Sequence, residues 1–250
     1  MHIILTINSH EVRNIRLATA SSLHKFQSLV YNLLPPDRAS FLHNEGYIVD
    51  KRPMKLFAMS WPIAEQARST EGTIEFSLPL RLVISSPVAS TLDGIASGAM
   101  MRDDMHIGAN AVFCEKVEVK NYVVETDTIN VRTLSPITCY SQMLRRDGRK
   151  YTVYFTPSEI DFVESIHNNL VRKYRALYPD KPLPHGTVNI RPLGTPCERI
   201  AKFKAGSSFP IKGWSGRFEL SGPKELLQVA LDCGLGAKNS GGFGCIIPEG

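Results

Sequence analysis

The sequence contains few cysteines, and these form no pattern that would bind a metal or build a disulfide framework. They number five, no two are spaced C-x-x-C, and no H-x₃-H pair accompanies them. Buried, reduced thiols are therefore expected, with no metal site and no other cofactor. The sequence also lacks the G-x-x-x-x-G-K-[ST] and G-x-G-x-x-G motifs, which disfavours a nucleotide-binding enzyme.

Long hydrophobic runs are missing as well. No stretch of 18 residues is free of both charge and proline, so we expect no transmembrane helix and no membrane partner. Residues 1–6 have neither the basic region nor the cleavage pattern of a signal peptide, which predicts a cytoplasmic protein. The composition, 43% hydrophobic and 21% charged, is that of an ordinary globular protein.

Charge is distributed unevenly along the chain. Residues 1–125 hold 12 Lys and Arg against 13 Asp and Glu, whereas residues 126–250 hold 17 against 11. A basic second half favours a polyanionic partner, although a solvated surface with surplus lysine explains the charge equally well.

The first half predicts the order β-α-β-β-α-β. Hydrophobic residues alternate over 2–8, as in a strand, and then recur at helical spacing until Pro35-Pro36 ends the helix. A short helix is expected from residue 36 to about residue 43. The remaining predicted elements are strands at 55–61, 73–85 and 111–120 and a helix at 87–101.

The second half predicts the same order again. A strand is expected at 129–137, followed by a hairpin turning at Asp147-Gly148 and a helix that begins after the capping-box sequence of residues 156–159. Further strands are expected over 187–193 and 199–220, and a last helix from about residue 221. The two halves together predict an α+β fold of two tandem ferredoxin-like (RRM-like) domains, residues 1–122 and 128–250.

A glycine-rich loop follows the last predicted helix. Five glycines fall within the eleven positions 234–244, with one lysine, Lys238, between them. Such a loop requires positive φ angles or close backbone approach. Free N–H groups beside a cation would suit a phosphate-bearing partner, whereas a purely steric role for the glycines is the alternative.

The glycine pattern resembles the hallmark of the CRISPR-associated endoribonucleases that cut precursor CRISPR RNA, the sixth-numbered Cas family of the RAMP superfamily. That hallmark has two Gly-x-Gly units, each with an apolar middle residue, separated by five residues. Here they are Gly234-Leu235-Gly236 and Gly242-Phe243-Gly244. Five other segments are similar to the family, at residues 29–32, 41–43, 55–57, 134–137 and 213–218.

This resemblance implies a catalytic set of Tyr31, His43 and Lys55 in the first domain, with Lys51 or Arg52 as substitutes for the lysine. It also implies a metal-independent cut that leaves a 2′,3′-cyclic phosphate and a 5′-hydroxyl. The resemblance further implies a C-terminal glycine-rich loop and CRISPR repeat RNA as the partner. It leaves open whether the protein forms a homodimer or associates with other Cas effector subunits.

The residue types fit this chemistry independently of the resemblance. Cleavage by the RNA's own 2′-hydroxyl needs proton transfer, which histidine performs near neutral pH, and positive charge for the phosphorane, which lysine supplies. His24 is the competing histidine, because it shares a helix face with Gln27 and Tyr31. Taken individually, the three residues also have plain structural explanations: core packing for Tyr31, helix capping for His43 and surface solvation for Lys55.

Basic residues interleaved with aromatics in the second half predict contact with RNA phosphates and bases. The predicted RNA-binding residues are Lys202, Lys204, Lys212, Arg217, Gly234, Gly236, Lys238, Gly242 and Gly244. A sheet with core aromatics and solvated lysines is the alternative. At the level of the whole protein, the alternative to an enzyme is a non-catalytic RNA-binding RAMP protein of a CRISPR effector complex.

Overall fold

Alternating and helical hydrophobic patterns in the first half build a main antiparallel sheet that packs against two long helices. The computed structural model describes residues 1–144, 146–203 and 210–249, and no helix in these ranges is long and apolar enough to cross a membrane. The strands of this half are β1 (His2–Asn8), β2 (Asn14–Ala18), β3 (Tyr47–Val49), β4 (Arg52–Met54), β5 (Ala58–Met59), β6 (Ile63–Ala64), β7 (Ala67–Thr70), β8 (Thr73–Ser77), β9 (Leu80–Ser85), β10 (His106–Ile107), β11 (Asn110–Ala111) and β12 (Phe113–Lys120). The helices are α1 (Ser22–Leu33), α2 (Pro36–Ser40) and α3 (Ala89–Met101).

The main sheet of this half has the order β12-β1-β9-β5, with β6 also paired to β9. Counting only the strands that alternate with α1 and α3, this order is 4-1-3-2, the order of the βαββαβ fold. The inward residues of β1, such as Leu5 and Ile7, are fully buried with Phe26 of α1 and Ile95 of α3.

The second half repeats this arrangement with strands β13 (Thr128–Thr133), β14 (Tyr140–Leu144), β15 (Lys150–Tyr154), β16 (Asn189–Pro192), β17 (Cys197–Ala201), β18 (Ile211–Ser215), β19 (Arg217–Ser221) and β20 (Ile246–Pro248), and helices α4 (Ile160–Leu177) and α5 (Lys224–Cys233). Its sheet has the order β16-β19-β13-β20, again antiparallel and again 4-1-3-2 when read from β20. The predicted tandem ferredoxin-like fold is therefore confirmed.

Polar contacts join the two sheets along the segment that follows β5. The Ser135 hydroxyl donates to the Met59 carbonyl, and the Trp61 indole N–H donates to the Gly242 carbonyl at 2.7 Å. At the start of the chain, the Met1 ammonium pairs with Asp232 of α5. The glycine-rich loop is thus held between the two sheets.

Several predicted elements differ from the structure. Residues 73–85 form two strands in different sheets, β8 and β9, because the chain turns at Pro79, which cannot donate a ladder hydrogen bond. The three-stranded sheet β2-β8-β7 was not predicted. At the start of α4, Glu159 accepts a hydrogen bond from the Thr156 N–H, but no side chain caps the helix, which begins only at Ile160.

Candidate functional site

One face of α1 lies against the glycine-rich loop. Residues three and four apart share a helix face, and Gln27 and Tyr31 both reach Ser240 from this side. The Gln27 amide donates to the Ser240 carbonyl at 3.0 Å, and the Tyr31 and Ser240 hydroxyls are hydrogen-bonded. Burial raises the pKa of Tyr31, and the Ser240 bond opposes that shift. Tyr31 is therefore a protonated phenol at neutral pH.

The His43 ring lies next to Tyr31. The chain after α2 forms a π-helical turn, Phe41–Glu45, which exposes His43 with its ring centroid 6.0 Å from that of Tyr31. His43 Nδ1 lies 2.9 Å from Asn44 Oδ1, while the Asn44 amide nitrogen donates to the Ser40 hydroxyl. This network assigns the proton to Nδ1 of His43 and leaves Nε2 available for chemistry.

A β-hairpin brings Lys55 to the same place. Strands β3 and β4 are joined by Asp50 and Lys51, both with positive φ, as a type I′ turn requires. Immediately after β4, the Lys55 ammonium donates to the His43 carbonyl at 2.9 Å. Partial burial lowers the pKa of Lys55. Lys51 lies at the exposed tip of the hairpin, so of the predicted lysines Lys55 is the one in contact with His43.

The competing histidine, His24, lies further along the same face of α1. Its ring makes an edge-to-face contact with Phe203, at a centroid distance of 5.8 Å. Tyr31, His43 and Lys55 are thus brought together, whereas His24 contacts Phe203 and lies two helical turns from Tyr31 along α1.

A buried lysine of α4, Lys173, binds the glycine-rich loop through hydrogen bonds. Lys173 is 3% exposed, and its ammonium donates to the carbonyls of Cys233 (3.2 Å) and Gly234 (2.7 Å) and to Asn239 Oδ1 (2.7 Å). The Asn239 amide nitrogen in turn donates to the carbonyls of Leu235 and Phe243. Burial lowers the pKa of Lys173 to about 8. Lys173 and Asn239 thus link the end of α5 to both glycine units.

The four glycines of the motif are buried and have positive φ angles. A Cβ at Gly236 would lie 2.5 Å from the Thr138 carbonyl oxygen, and one at Gly244 would overlap the Leu235 carbonyl. Several loop N–H groups already donate inside the protein, such as Ala237 to Thr138 and Gly244 to Pro136. The expected row of bare N–H groups is therefore not found, and close packing accounts for the glycines. RNA contact by Gly234, Gly236, Gly242 and Gly244 themselves stays a prediction.

We expect Gly244→Ala to lower the free energy of unfolding by ~1–3 kcal/mol through its backbone conformation alone, and by more through the overlap with Leu235. Gly72 has a similar φ of +77°, but a Cβ placed on its backbone would have nothing within 4 Å, so Gly72→Ala is the matched control. Chemical denaturation of both variants measures the difference. Equal losses for the two would show that the Leu235 carbonyl moves aside at no cost.

Two cavities flank the segment of the loop from Lys238 to Ser240. The cationic cavity has a volume of about 370 Å³, and the described residues that line it include five basic side chains and no acidic one. Its basic residues are Arg52, Lys55, Arg172, Lys173 and Lys238. The aromatic cavity, of about 430 Å³, lies between the loop and the β14–β15 hairpin. The Lys238 ammonium sits 5.4 Å from the centre of the Tyr140 ring, between the two cavities.

Of the other predicted RNA-binding side chains, one is exposed and two form ion pairs. Lys202 is exposed, Lys212 pairs with Glu198 at 3.3 Å, and Arg217 pairs with Glu249 at 2.6 Å. Lys204 lies outside the described residues, as do Arg145 and Phe209. Within the described ranges, no three His, Cys, Asp or Glu side chains cluster as a metal site would require.

Sequence reasoning missed Lys173 and Asn239. The helical pattern places Lys173 beside Tyr174 and Leu170 on the face that α4 buries, and a lysine at a buried position is unusual unless it is paired. This mismatch between a charged side chain and the hydrophobic pattern was the feature of the sequence that could have identified Lys173. It is easily mistaken for a favourable charge at a helix end, because Arg172 and Arg175 are its neighbours in sequence.

Comparisons with known proteins agree with the fold and with the glycine motif. A family model described as CRISPR associated protein Cas6, C-terminal, matches residues 117–247, just over half of the chain. The CRISPR-associated endoribonuclease Cas6 of Pyrococcus furiosus is 26% identical over 230 residues, which cover 90% of this chain and 81% of the relative.

Two solved structures extend this likeness to the whole fold. One, described as CRISPR associated protein Cas6, has a TM-score of 0.78 at 22% identity and covers 100% of this chain and 99% of its own. Another, from a Cas6-related gene of Pyrococcus furiosus, has a TM-score of 0.82 at 17% identity and covers 100% and 98%. At these identities, the structural matches support the fold alone.

Proposed function

The chain belongs to the CRISPR-associated Cas6 family, and from that premise we propose that it is an endoribonuclease that cuts precursor CRISPR RNA within its repeats. The observation that carries the proposal is the meeting of three side chains from separate elements. Tyr31 of α1, His43 of the π-helical turn and Lys55 after the hairpin lie together beside the glycine-rich loop. A group for proton transfer, a hydroxyl that can orient the substrate and a positive charge are thereby available in one place.

The proposed reaction needs no metal. The 2′-hydroxyl oxygen of the RNA attacks the adjacent phosphorus, the bond to the 5′-oxygen breaks, and the products are a 2′,3′-cyclic phosphate and a 5′-hydroxyl. Nε2 of His43 either takes the proton from the attacking 2′-hydroxyl, as base, or, when protonated, gives a proton to the departing 5′-oxygen, as acid, and the other of these two protons is exchanged with water. The Tyr31 phenol donates a hydrogen bond that orients the reacting group, and the Lys55 ammonium stabilises the charge that develops on the phosphorane.

The cationic cavity supports an RNA substrate. Burial and the nearby charge of Arg52 lower the pKa of Arg172, and the charge of Asp50 opposes this shift. Lys55 and Lys238 line the same cavity, and none of its described lining residues is acidic. A phosphate in the cavity would relieve this repulsion and would lie next to Lys55.

The test is cleavage of the host's own repeat RNA, labelled at one end, by the purified protein in excess EDTA. We expect a single cut, with a 3′ fragment that polynucleotide kinase can phosphorylate directly and a 5′ fragment that acid treatment opens from its cyclic phosphate. Cleavage only after added Mg²⁺ would overturn the metal-independent mechanism. Tight binding without any cut would favour the non-catalytic RAMP protein instead.

The remaining expectations belong to the same proposal. Residues 1–122 would carry the catalytic groups, and residues 128–250 the glycine-rich loop and the basic surface of Lys202, Lys212 and Arg217. A cytoplasmic location is part of the proposal, whereas a homodimer and association with other Cas effector subunits are left open. Size-exclusion chromatography with light scattering, with and without repeat RNA, measures the oligomeric state.

A further inference from the structure

One face of the β14–β15 hairpin is turned towards the glycine-rich loop. Side chains alternate along a strand, so residues 140 and 142 share a face, and they stand directly opposite residues 154 and 152. The face therefore carries Tyr140, Gln142, Thr152 and Tyr154, all of which line the aromatic cavity. Tyr151, one residue away on the same strand, is on the opposite face, where its hydroxyl contacts Met143.

The aromatic cavity has the size and lining of a small-ligand site. Its volume of about 430 Å³ falls in the range of ~300–1,000 Å³ typical of ligand pockets. The Tyr140 and Tyr154 rings, 5.7 Å apart and tilted by 52°, form one wall, and Phe203 forms another. Between them lie the amides of Gln27 and Gln142 and the hydroxyl of Thr152.

This combination suits a nucleobase. Aromatic walls stack on the flat face of a base, and amide groups both donate and accept hydrogen bonds at its edge. Among the described residues that line it there is no carboxylate, and the one cation among them, Lys238, stands at the border with the cationic cavity. A base in the aromatic cavity would thus leave its phosphate beside Lys238.

The two cavities share the wall formed by Lys238 and Ser240. The Ser240 hydroxyl is hydrogen-bonded to that of Tyr31, and the Ser240 carbonyl accepts from the amide of Gln27, which lines the aromatic cavity. A chain that places one phosphate beside Lys55 would therefore have its neighbouring nucleotide within reach of the aromatic cavity.

We propose that the aromatic cavity binds one unpaired nucleobase of the RNA, from a nucleotide next to the cut, between the β14–β15 hairpin and the glycine-rich loop. This inference rests on the proposed function, since it names the part of the substrate that the site takes up. It predicts that the RNA is unpaired at that nucleotide when bound.

The test is a scan of the repeat RNA in which each nucleotide near the cut is replaced in turn by an abasic one, which removes the base and keeps the phosphate. Affinity is measured for the wild type and for Tyr140→Ala, Gln142→Ala and Tyr151→Ala, whose folding is checked by thermal unfolding. We expect one abasic position to weaken binding ~5- to 150-fold, the loss of one stacked base.

For RNA that is abasic at that position, Tyr140→Ala and Gln142→Ala should lower the affinity no further, because the base that these side chains contact is already absent. With intact RNA both should weaken binding, whereas Tyr151→Ala, on the opposite face, should not. Gln142→Ala keeps the test valid should Tyr140→Ala fail to fold.

Two outcomes would overturn the inference while leaving the enzyme intact. In the first, the protein cleaves intact RNA but no single abasic position weakens binding. In the second, Tyr140→Ala and Gln142→Ala each lower the affinity for intact and for abasic RNA by the same factor. Binding and cleavage both absent in the wild type would overturn the proposed function and this inference together. An abasic-sensitive position in a protein that binds without cutting would support the base site and contradict only the enzyme.

Discussion

His43→Ala is expected to lower the single-turnover cleavage rate by ~10²–10⁴-fold, the usual contribution of a positioned proton-transfer group. The substitution should remove the imidazole with little other effect on the structure. The side chain is exposed, so little stability should be lost, and Lys55 is bonded to the His43 carbonyl, which alanine retains. The imidazole alone is removed, and repeat-RNA affinity should change little.

His24→Ala is the matched control, because His24 lies on the same helix α1 but contacts Phe203, two helical turns from Tyr31. We expect it to keep most of the cleavage rate. Rates measured by quenching at saturating protein, with affinities measured separately, separate chemistry from binding. If His43→Ala cuts at the normal rate and His24→Ala does not, proton transfer belongs to His24.

The periodic parts of the fold could be predicted from the sequence, and the irregular parts could not. The alternation over residues 2–8 and the helical spacing after Leu23 are set by burial on one face, which a single sequence displays directly. Strand β6, with two residues, carries too little pattern to be recognised, and β5, also with two residues, is shorter than the strand predicted over 55–61. Their positions depend on pairing with β9, a long-range contact.

The candidate site shows the same division. Tyr31, His43 and Lys55 were found through family resemblance, while composition and spacing gave only residue types suited to the chemistry. The role of the glycines needed the structure, since a glycine that avoids the Leu235 carbonyl looks the same in sequence as one that binds phosphate. Lys173 could not be assigned either, because its partners are carbonyls some 60 residues later in the chain.

Lys173→Met is expected to change the pH dependence of stability and to impair cleavage. The lysine ammonium is fully buried, and burial lowers its pKa to about 8 in the folded protein, against 10.5 for an unperturbed lysine. Between these values the unfolded chain binds a proton that the folded protein does not, so unfolding becomes less favourable as pH rises. Methionine has a similar length and no charge, and it lacks this titration.

The free energy of unfolding of the wild type, minus that of Lys173→Met, should therefore be constant below pH 8 and rise by about 3 kcal/mol towards pH 10.5. Denaturant unfolding of both proteins at several pH values measures this difference. Ionisable groups that both proteins share contribute equally to the two free energies and therefore cancel. A difference that stays flat with pH would show that the bonds to Cys233, Gly234 and Asn239 fully offset the burial of the charge.

The same variant tests whether Lys173 positions the loop for catalysis. Without its ammonium, the carbonyls of Cys233 and Gly234 and the Asn239 side chain lose their shared donor, and the segment from Lys238 to Ser240 is free to shift. Small misplacements at a reacting centre cost up to ~10²-fold in rate. We expect a roughly 10- to 100-fold lower single-turnover rate at saturating protein, where weaker binding has no effect. Lys173→Arg, which keeps a donor, should recover part of that rate, and a folded Lys173→Met variant with the wild-type rate would contradict a positioning role.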